Sequence, residues 1–502
     1  MSFETLPDEL LIQIADCLEQ HDINSLVRLN RRCHQTLLLY LYGFNIQYRE
    51  FSAIRHLAEH GYEHVLHWVL QSIPHMPRSV RKEWSHVLSV FKGTSGPPNQ
   101  PTRAPLFIAL KRNDIGMVKL LLDMGFDPNA SSYYLYPALA VAAESGSTEM
   151  AQAILDHDSS ANCPASTWDA ALAAAIAHGH EQILSNILTA LRRWNPCDAP
   201  ERSREALECA IMHDQLWAVR LLLEDVGIHS SLRSDMSPLD VAIVCGRSRM
   251  ARFLLDAGAS PHQATGRDRL TPLIRAARIA NAELVKMLLD AGANPDQPDA
   301  AKRTALGCAA ERGDLTIARL LLYHHADASI MNDAGETPLA IGARTGNERI
   351  VRILLDYGVD PNTADGNGCT PLFHAAGRGD PTMAGFLLRY GADATMTNNV
   401  VETALLPAVR RGNRDVARML LDAGAPPDPV DILGRTPLSY AAERGDLPMM
   451  RLLAAFNVDF GTRDILTGRT PVQWAEATLK INALAIIQLM FVVGGDRNCL
   501  GV

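Results

Sequence analysis

Apolar and polar positions along the second half of the chain recur in a phrase of 33 residues, beginning at Thr271, Thr304, Thr337, Thr370, Thr403 and Thr436, with Thr470 one residue late. Weaker copies align at Ser237, Glu205, Ala170, Pro137 and Ala104, and a degenerate one lies near Ser52 with Gly61 in its glycine slot. The copy at Thr337 shows what each slot does. Thr337 caps a helix opened by Pro338, because proline at the first helical position gives up an N–H that has no partner within the helix. Leu339, Ile341 and Ala343 follow, and Gly346 ends the helix in the left-handed region. Ile350, Val351, Ile353, Leu354 and Leu355 then form the stripe of a second helix, stopped by Gly358, and Asp360 to Cys369 read as a polar turn or finger.

One such unit has too few large apolar side chains to offset the entropy of ordering its backbone, so it must bury its stripe against neighbours. The pattern therefore predicts an all-α solenoid of about 12 to 13 helix-turn-helix units with short finger loops. Small first-helix pairs such as Ala309-Ala310, Ala375-Ala376 and Ala441-Ala442 allow close approach on one side and so predict curvature.

The period, the T-P-L opening, the paired alanines, the glycine and the L-L-L core resemble ankyrin repeats over roughly residues 50 to 495, most strongly from Ser237 to Asp459. The resemblance implies recognition of other proteins through the fingers and the concave face of the first helices.

The opening residues follow another pattern. Leu6-Pro7 starts a helix with Leu10, Leu11, Ile14 and Leu18 as its stripe; Asp22 caps a second with Ile23, Leu26, Val27 and Leu29; a third runs through Leu37, Leu38 and Leu41. So small a bundle cannot hide that much leucine, which points to a partner or to docking on the first repeats. The order Leu6, Pro7, Glu9, Leu10, Leu11, Ile14, Leu18, Asp22, Ile23, Leu26, Asn30, Arg31 resembles an F-box, although Cys33, His34 and Leu37 to Leu41 stand where many F-boxes carry tryptophan. The resemblance implies that Leu6, Pro7, Leu10, Ile14, Leu18 and Leu26 face an Skp-type adaptor and, through it, a cullin. The other possibility is a helical cap that shields the first repeat. The predicted organisation is an F-box-like bundle at 1–45, a degenerate unit and linker at 46–101, divergent repeats at 102–235, regular repeats at 236–468 and a capping repeat at 469–502.

Composition narrows the function. The 502 residues are 47% hydrophobic and 6% aromatic, and the net charge of −9 with no polybasic tract argues against direct binding of nucleic acid. An acidic start and a longest apolar run, Ala483 to Val493, too short to span a bilayer argue against export and a membrane, so an intracellular protein of nucleus or cytoplasm is expected. Nine cysteines without paired spacing, among them Cys209, Cys245 and Cys308 in helix slots, read as reduced core thiols. Gly93 to Pro101 reads as a hinge-like loop, and Trp194 to Pro200 as a longer finger.

Catalytic signatures are missing from the sequence, so neither an enzyme nor a cofactor is expected. His56, His60, His64 and His67 have spacings that could hold zinc, but the repeat grammar splits them across two helices, where a solvated histidine face fits as well. Near the end of the first helices Arg278, Arg312, Arg344, Arg378, Arg410, Arg411 and Arg444 recur, and stacking would align them along the concave rim as a site for carboxylates or phosphates of a client protein. Solvated arginines neutralised by Glu311, Glu443 and Asp446 are the alternative. Two functions fit the whole: substrate receptor of an Skp-cullin-F-box ubiquitin ligase, or an ankyrin scaffold or transcription coregulator without a ligase role.

Overall fold

The structure, a computed structural model, describes Ala58 and residues 105–123, 126, 128, 137–157, 164–229, 231–232 and 235–479. The F-box-like stretch with Leu6, Pro7, Leu10, Ile14, Leu18 and Leu26, the four histidines from His56 to His67, the linker at 93–101 and the apolar run from Ala483 lie outside the described residues. The chain divides into two compact units, Met1–Arg233 and Ser234–Val502. Among the described residues there are 23 helices and no strands, only two isolated bridges.

The first unit contains α1 (Pro105–Lys111), α2 (Ile115–Asp123), α3 (Ala138–Ser145), α4 (Thr148–Leu155), α5 (Ala165–His178), α6 (Glu181–Trp194), α7 (Ala199–Met212) and α8 (Leu216–Val226). They form four hairpins, with the first helices α1, α3, α5 and α7 packed in succession and α2, α4, α6 and α8 packed likewise. Here the sequence grammar misleads. The longer finger expected at Trp194 to Pro200 is a four-residue turn between α6 and α7, and the unit starts placed at Ala170 and Glu205 fall inside helices of 14 residues. Without a threonine-proline start to fix the N-terminus, the chain extends helix into the segment that elsewhere makes a finger.

The second unit contains α9 (Pro238–Val244), α10 (Ser248–Asp256), α11 (Pro272–Arg278), α12 (Ala282–Asp290), α13 (Ala305–Arg312), α14 (Leu315–Tyr323), α15 (Pro338–Thr345), α16 (Glu348–Asp356), α17 (Pro371–Arg378), α18 (Pro381–Arg389), α19 (Leu405–Arg411), α20 (Arg414–Asp422), α21 (Pro437–Glu443), α22 (Leu447–Ala454) and α23 (Pro471–Leu479). Each hairpin packs on the next, first helix to first helix and second to second. The first helices touch along more of their surface, because Ala276-Ala277, Ala309-Ala310, Ala375-Ala376 and Ala441-Ala442 are buried between them.

The caps follow the residues. The hydroxyls of Thr271, Thr304, Thr337, Thr370 and Thr436 each accept a backbone N–H from the third residue on. Ser237 goes further, forming a reciprocal capping box with Asp240. Thr403 is the exception: the helix starts one residue late, at Leu405, and the buried Thr403 hydroxyl has no partner among the described residues. Gly346 closes α15 at φ 82° and Gly358 follows α16 at φ 81°, in the region that costs a side chain strain.

One buried ion pair ties two repeats of the second unit together. The Asp240 carboxylate, fully buried, accepts from the Ser237 backbone N–H and hydroxyl and from the Thr265 hydroxyl, and lies 3.1 Å from Arg275 Nε in ion-pair contact without hydrogen-bond alignment.

The thiols correct one expectation. Cys308 and Cys369 are buried, but Cys245 and Cys197 are exposed and Cys209 is half-buried. Cys245 stands just past the end of α9, eight residues after Ser237, a slot exposed in the next two repeats at Ile279 and Arg312 too. Burial pushes the Cys308 thiol up to about 11, with nearby Arg303 opposing the shift, and burial with the Asp365 charge does the same for Cys369, also to about 11. Both stay protonated and unreactive at neutral pH.

Candidate interaction surface

In the second unit the fingers and the ends of the first helices form one polar face. Each finger is built around an acidic or amide side chain five residues before the helix cap: Asp299, Asn332, Asp365, Asn398 and Asp431. One oxygen of each accepts two backbone N–H groups of its own turn, at 2.8 to 3.1 Å. This is why a short polar residue stands there: only its side chain can fold back to close the turn.

In the aspartates at 365, 431 and 464 a side-chain oxygen also reaches the following first helix, and at Asp431 the preceding one too. Asp365 pairs with His374 Nε2 at 2.9 Å, Asp431 accepts from the Tyr440 hydroxyl and from Arg410 at 3.0 Å, and Asp464 accepts from the Trp474 indole at 2.9 Å. Burial alone would raise the Asp464 carboxyl, but donation by the Thr467 hydroxyl and backbone, Trp474 and the Arg469 backbone outweighs it and holds the group at about 2. At Asp431 burial likewise pushes the carboxyl up, and hydrogen bonds from Tyr440, the backbone of Arg435 and Leu433 and Arg410 outweigh it, so the group lies low. Tyr440 is raised by burial and by its bond to Asp431, so its hydroxyl stays protonated and serves as a donor.

Adjacent fingers are stitched by backbone bonds: Ala300 N–H to Asp268 O at 2.9 Å, Asp333 to Ala301 at 3.1 Å, Gly366 to Ala334 at 2.9 Å, Asn399 to Asn367 at 3.0 Å and Ile465 to Leu433 at 2.8 Å. At Gly335 the approach is so close that an added Cβ would sit 2.4 Å from the Gly366 nitrogen. Arginine and aromatic groups then stack along the last repeats: Arg410 and Arg435 lie 4.7 and 4.1 Å from the Tyr440 ring centre, and Arg435 and Arg469 lie 5.2 and 4.7 Å from that of Trp474.

The seven arginines singled out in the sequence fall into two slots. Arg278, Arg344 and Arg410 stand seven residues after the cap; Arg312, Arg378, Arg411 and Arg444 stand eight after. In the first slot Arg344 pairs with Glu336 and Arg410 with Glu402, each acid lying just before the cap. In the second, Arg378 and Arg444 donate to the backbone oxygens of Arg344 and Arg410, so each satisfies the end of the preceding first helix. Arg278, Arg312 and Arg411 are exposed and make no hydrogen bond or ion pair with the described residues.

The alternation is wider than arginine. The finger residue runs Asp299, Asn332, Asp365, Asn398, Asp431; the residue ten after the cap runs Asp314, Asn347, Asp380, Asn413, Asp446. The aspartates at the second site cap their own second helix, whereas Asn347 reaches back to Ala310 O at 2.8 Å. The pair before and after the first helix inverts as well: Glu336 with Arg344, Glu402 with Arg410, then Arg435 with Glu443. These five repeats therefore follow a two-repeat period. The alternating Asp and Asn are plain in the sequence, and are missed when only the 33-residue interval is sought.

A shallow cleft of about 100 Å³ between the fingers of the Thr304 and Thr337 repeats is lined by Arg303, Glu311, Asn332, Glu336 and Arg344, two cations and two acids around an amide. Among the described residues no group of three His, Cys, Asp or Glu side chains could hold a metal ion, and no helix is long and apolar enough to cross a membrane. His324 lies 3.9 Å from Asp290, and the two do not form part of a larger cluster.

The family model for ankyrin repeats (three copies) matches residues 86–165, 139–234, 239–332, 273–365, 308–399, 358–431 and 405–491. These spans cover well over half of the 502 residues, and the chain belongs to the ankyrin-repeat family. It is thus a protein-protein interaction module, on a fold that serves as an interaction scaffold and is typically non-enzymatic. Among solved structures it is similar to the ankyrin repeat domain of Bcl-3, described as a unique member of the IkappaB protein family, at 28% identity and a TM-score of 0.40, covering 44% of this chain and 100% of that one. No match was found among curated proteins.

Proposed function

We propose that the chain is a non-catalytic substrate receptor of an Skp-cullin-F-box ubiquitin ligase, with residues 1–45 engaging the adaptor and the finger face of the repeats receiving the client. The observation that carries it is the ordered set Leu6, Pro7, Leu10, Ile14, Leu18 and Leu26 ahead of a repeat array. The receptor supplies proximity, raising the effective concentration of client lysines at the ligase, and needs no nucleophile of its own. On the client side, Arg278, Arg312 and Arg411 are the guanidinium groups left available, while Arg344, Arg378, Arg410 and Arg444 shape the face through their bonds within it.

Alanine at Leu6, Pro7 and Leu10 together is expected to abolish capture of an Skp-type adaptor in pull-down, with helical content by circular dichroism unchanged. An adaptor captured equally by the variant would remove the ligase role. A complex of transcription factors lacking adaptor and cullin would make the chain a coregulator instead.

A further inference from the structure

The fingers change character along the second unit. In the repeats capped by Thr304, Thr337 and Thr370 the tips are small or polar: Ala300-Ala301-Lys302, Asp333-Ala334-Gly335 and Gly366-Asn367-Gly368. In the next three they are aliphatic and turned to water, with Val400 and Val401 44% and 64% exposed, Ile432 71%, and Ile465 and Leu466 74% and 73%. Aliphatic side chains gain nothing from standing at the tip of a turn, and the three earlier fingers close the same backbone bonds without them.

Charge around these tips leans to the cations, the exposed Glu443 being tied to Arg435. The finger acids Glu402, Asp431 and Asp464 are buried, their oxygens committed to Arg410, Tyr440, Thr467 and Trp474. The cations face outward: Arg411, Arg444, Arg463 and Arg469 are all exposed. A protein whose net charge is −9 thus presents aliphatic tips edged by arginine at this one end.

The backbone adds a third feature. Of six neighbouring pairs of fingers, five share a bond between main chains, but Ile432 N–H makes none with Val400 O, although they hold the corresponding positions. A donor and an acceptor therefore lie open between two aliphatic tips.

We propose that the fingers at Val400-Val401, Ile432 and Ile465-Leu466 bind an extended segment of a partner protein in which aliphatic residues alternate with acidic ones. Its aliphatic side chains cover the tips, its carboxylates meet Arg411, Arg463 and Arg469, and its main chain bonds the open Ile432 N–H and Val400 O. This rests on the reading that the finger face receives the client, and names the chemistry of the segment it takes.

The test uses the full chain and a fluorescein-labelled peptide in which glutamate and leucine alternate, read by fluorescence anisotropy. The peptide is expected to bind at least about tenfold more tightly than one with lysine for every glutamate, and than one with serine for every leucine. The triple variant Ile432→Ser, Ile465→Ser, Leu466→Ser and the double variant Arg411→Glu, Arg463→Glu should each weaken it at least about tenfold with unchanged circular dichroism. Equal binding of the three peptides, or variants that bind as the native chain does, would overturn the proposal. Adaptor capture, scored separately on the Leu6, Pro7, Leu10 variant, shows whether the receptor role fails with it.

Discussion

Replacing Trp168 by alanine is expected to destabilise the first unit by about 3–5 kcal/mol, while phenylalanine at the same site costs within about 1 kcal/mol. Trp168 lies in the first turn of α5, is 1% exposed, and is among the largest fully buried side chains of the protein. The helix that carries it packs on both α3 and α7, so an alanine there leaves a cavity at the junction of three repeats. Its indole N–H is buried with no hydrogen-bond partner among the described residues. Phenylalanine removes that orphaned donor along with some volume, and the two effects oppose each other. Native-state hydrogen exchange reads the result at α5 and α7, since in stacked repeats the loss stays near the site. A phenylalanine loss close to that of alanine would show that the indole N–H is satisfied and that its bond, not volume, dominates.

The buried pair of the second unit has an effect nearly as large. Arg275→Met is expected to cost roughly 3 kcal/mol, because it leaves the fully buried Asp240 charge without its cation. The carboxylate keeps the Ser237 and Thr265 donors, which hold the loss below that of a wholly stranded charge. Asp240→Asn in the Arg275→Met background should recover part of the stability, since the charge is then gone along with its partner. Urea unfolding of the single and double variants checks this; a single variant within about 0.5 kcal/mol of the native chain would mean that water already screens the pair.

The regular repeats were legible because every slot carries a local cause that sequence displays: a threonine hydroxyl for the cap, proline for the first turn, glycine for the positive φ, alanine for close approach. Where those residues fade, so did the grammar. Between Ala165 and Met212 three helices of 14 residues stand in place of helix and finger, and only the absence of a cap signals it. Cys245 has the apolar character of a core residue, but its slot is solvent-facing in most of the other copies. The arginines were found by recurrence, yet their roles depend on what lies one repeat away, which a spacing cannot show: Arg378 and Arg444 serve the helix before their own. The alternation of Asp and Asn was equally visible in letters, and at the second site it acquires meaning once Asp is seen to cap its own helix and Asn347 to reach the previous repeat.

The claim on which the account depends is that the finger face does the binding. Hydrogen exchange of the chain within the complex it purifies in, compared with the chain alone, tests it directly. Protection is expected at the finger segments 299–303, 332–336, 365–369, 398–402 and 431–435 and at the ends of the first helices. Protection confined to the second helices, around Lys286, Arg319, Arg352 and Arg418, with the fingers exchanging as before, would contradict it.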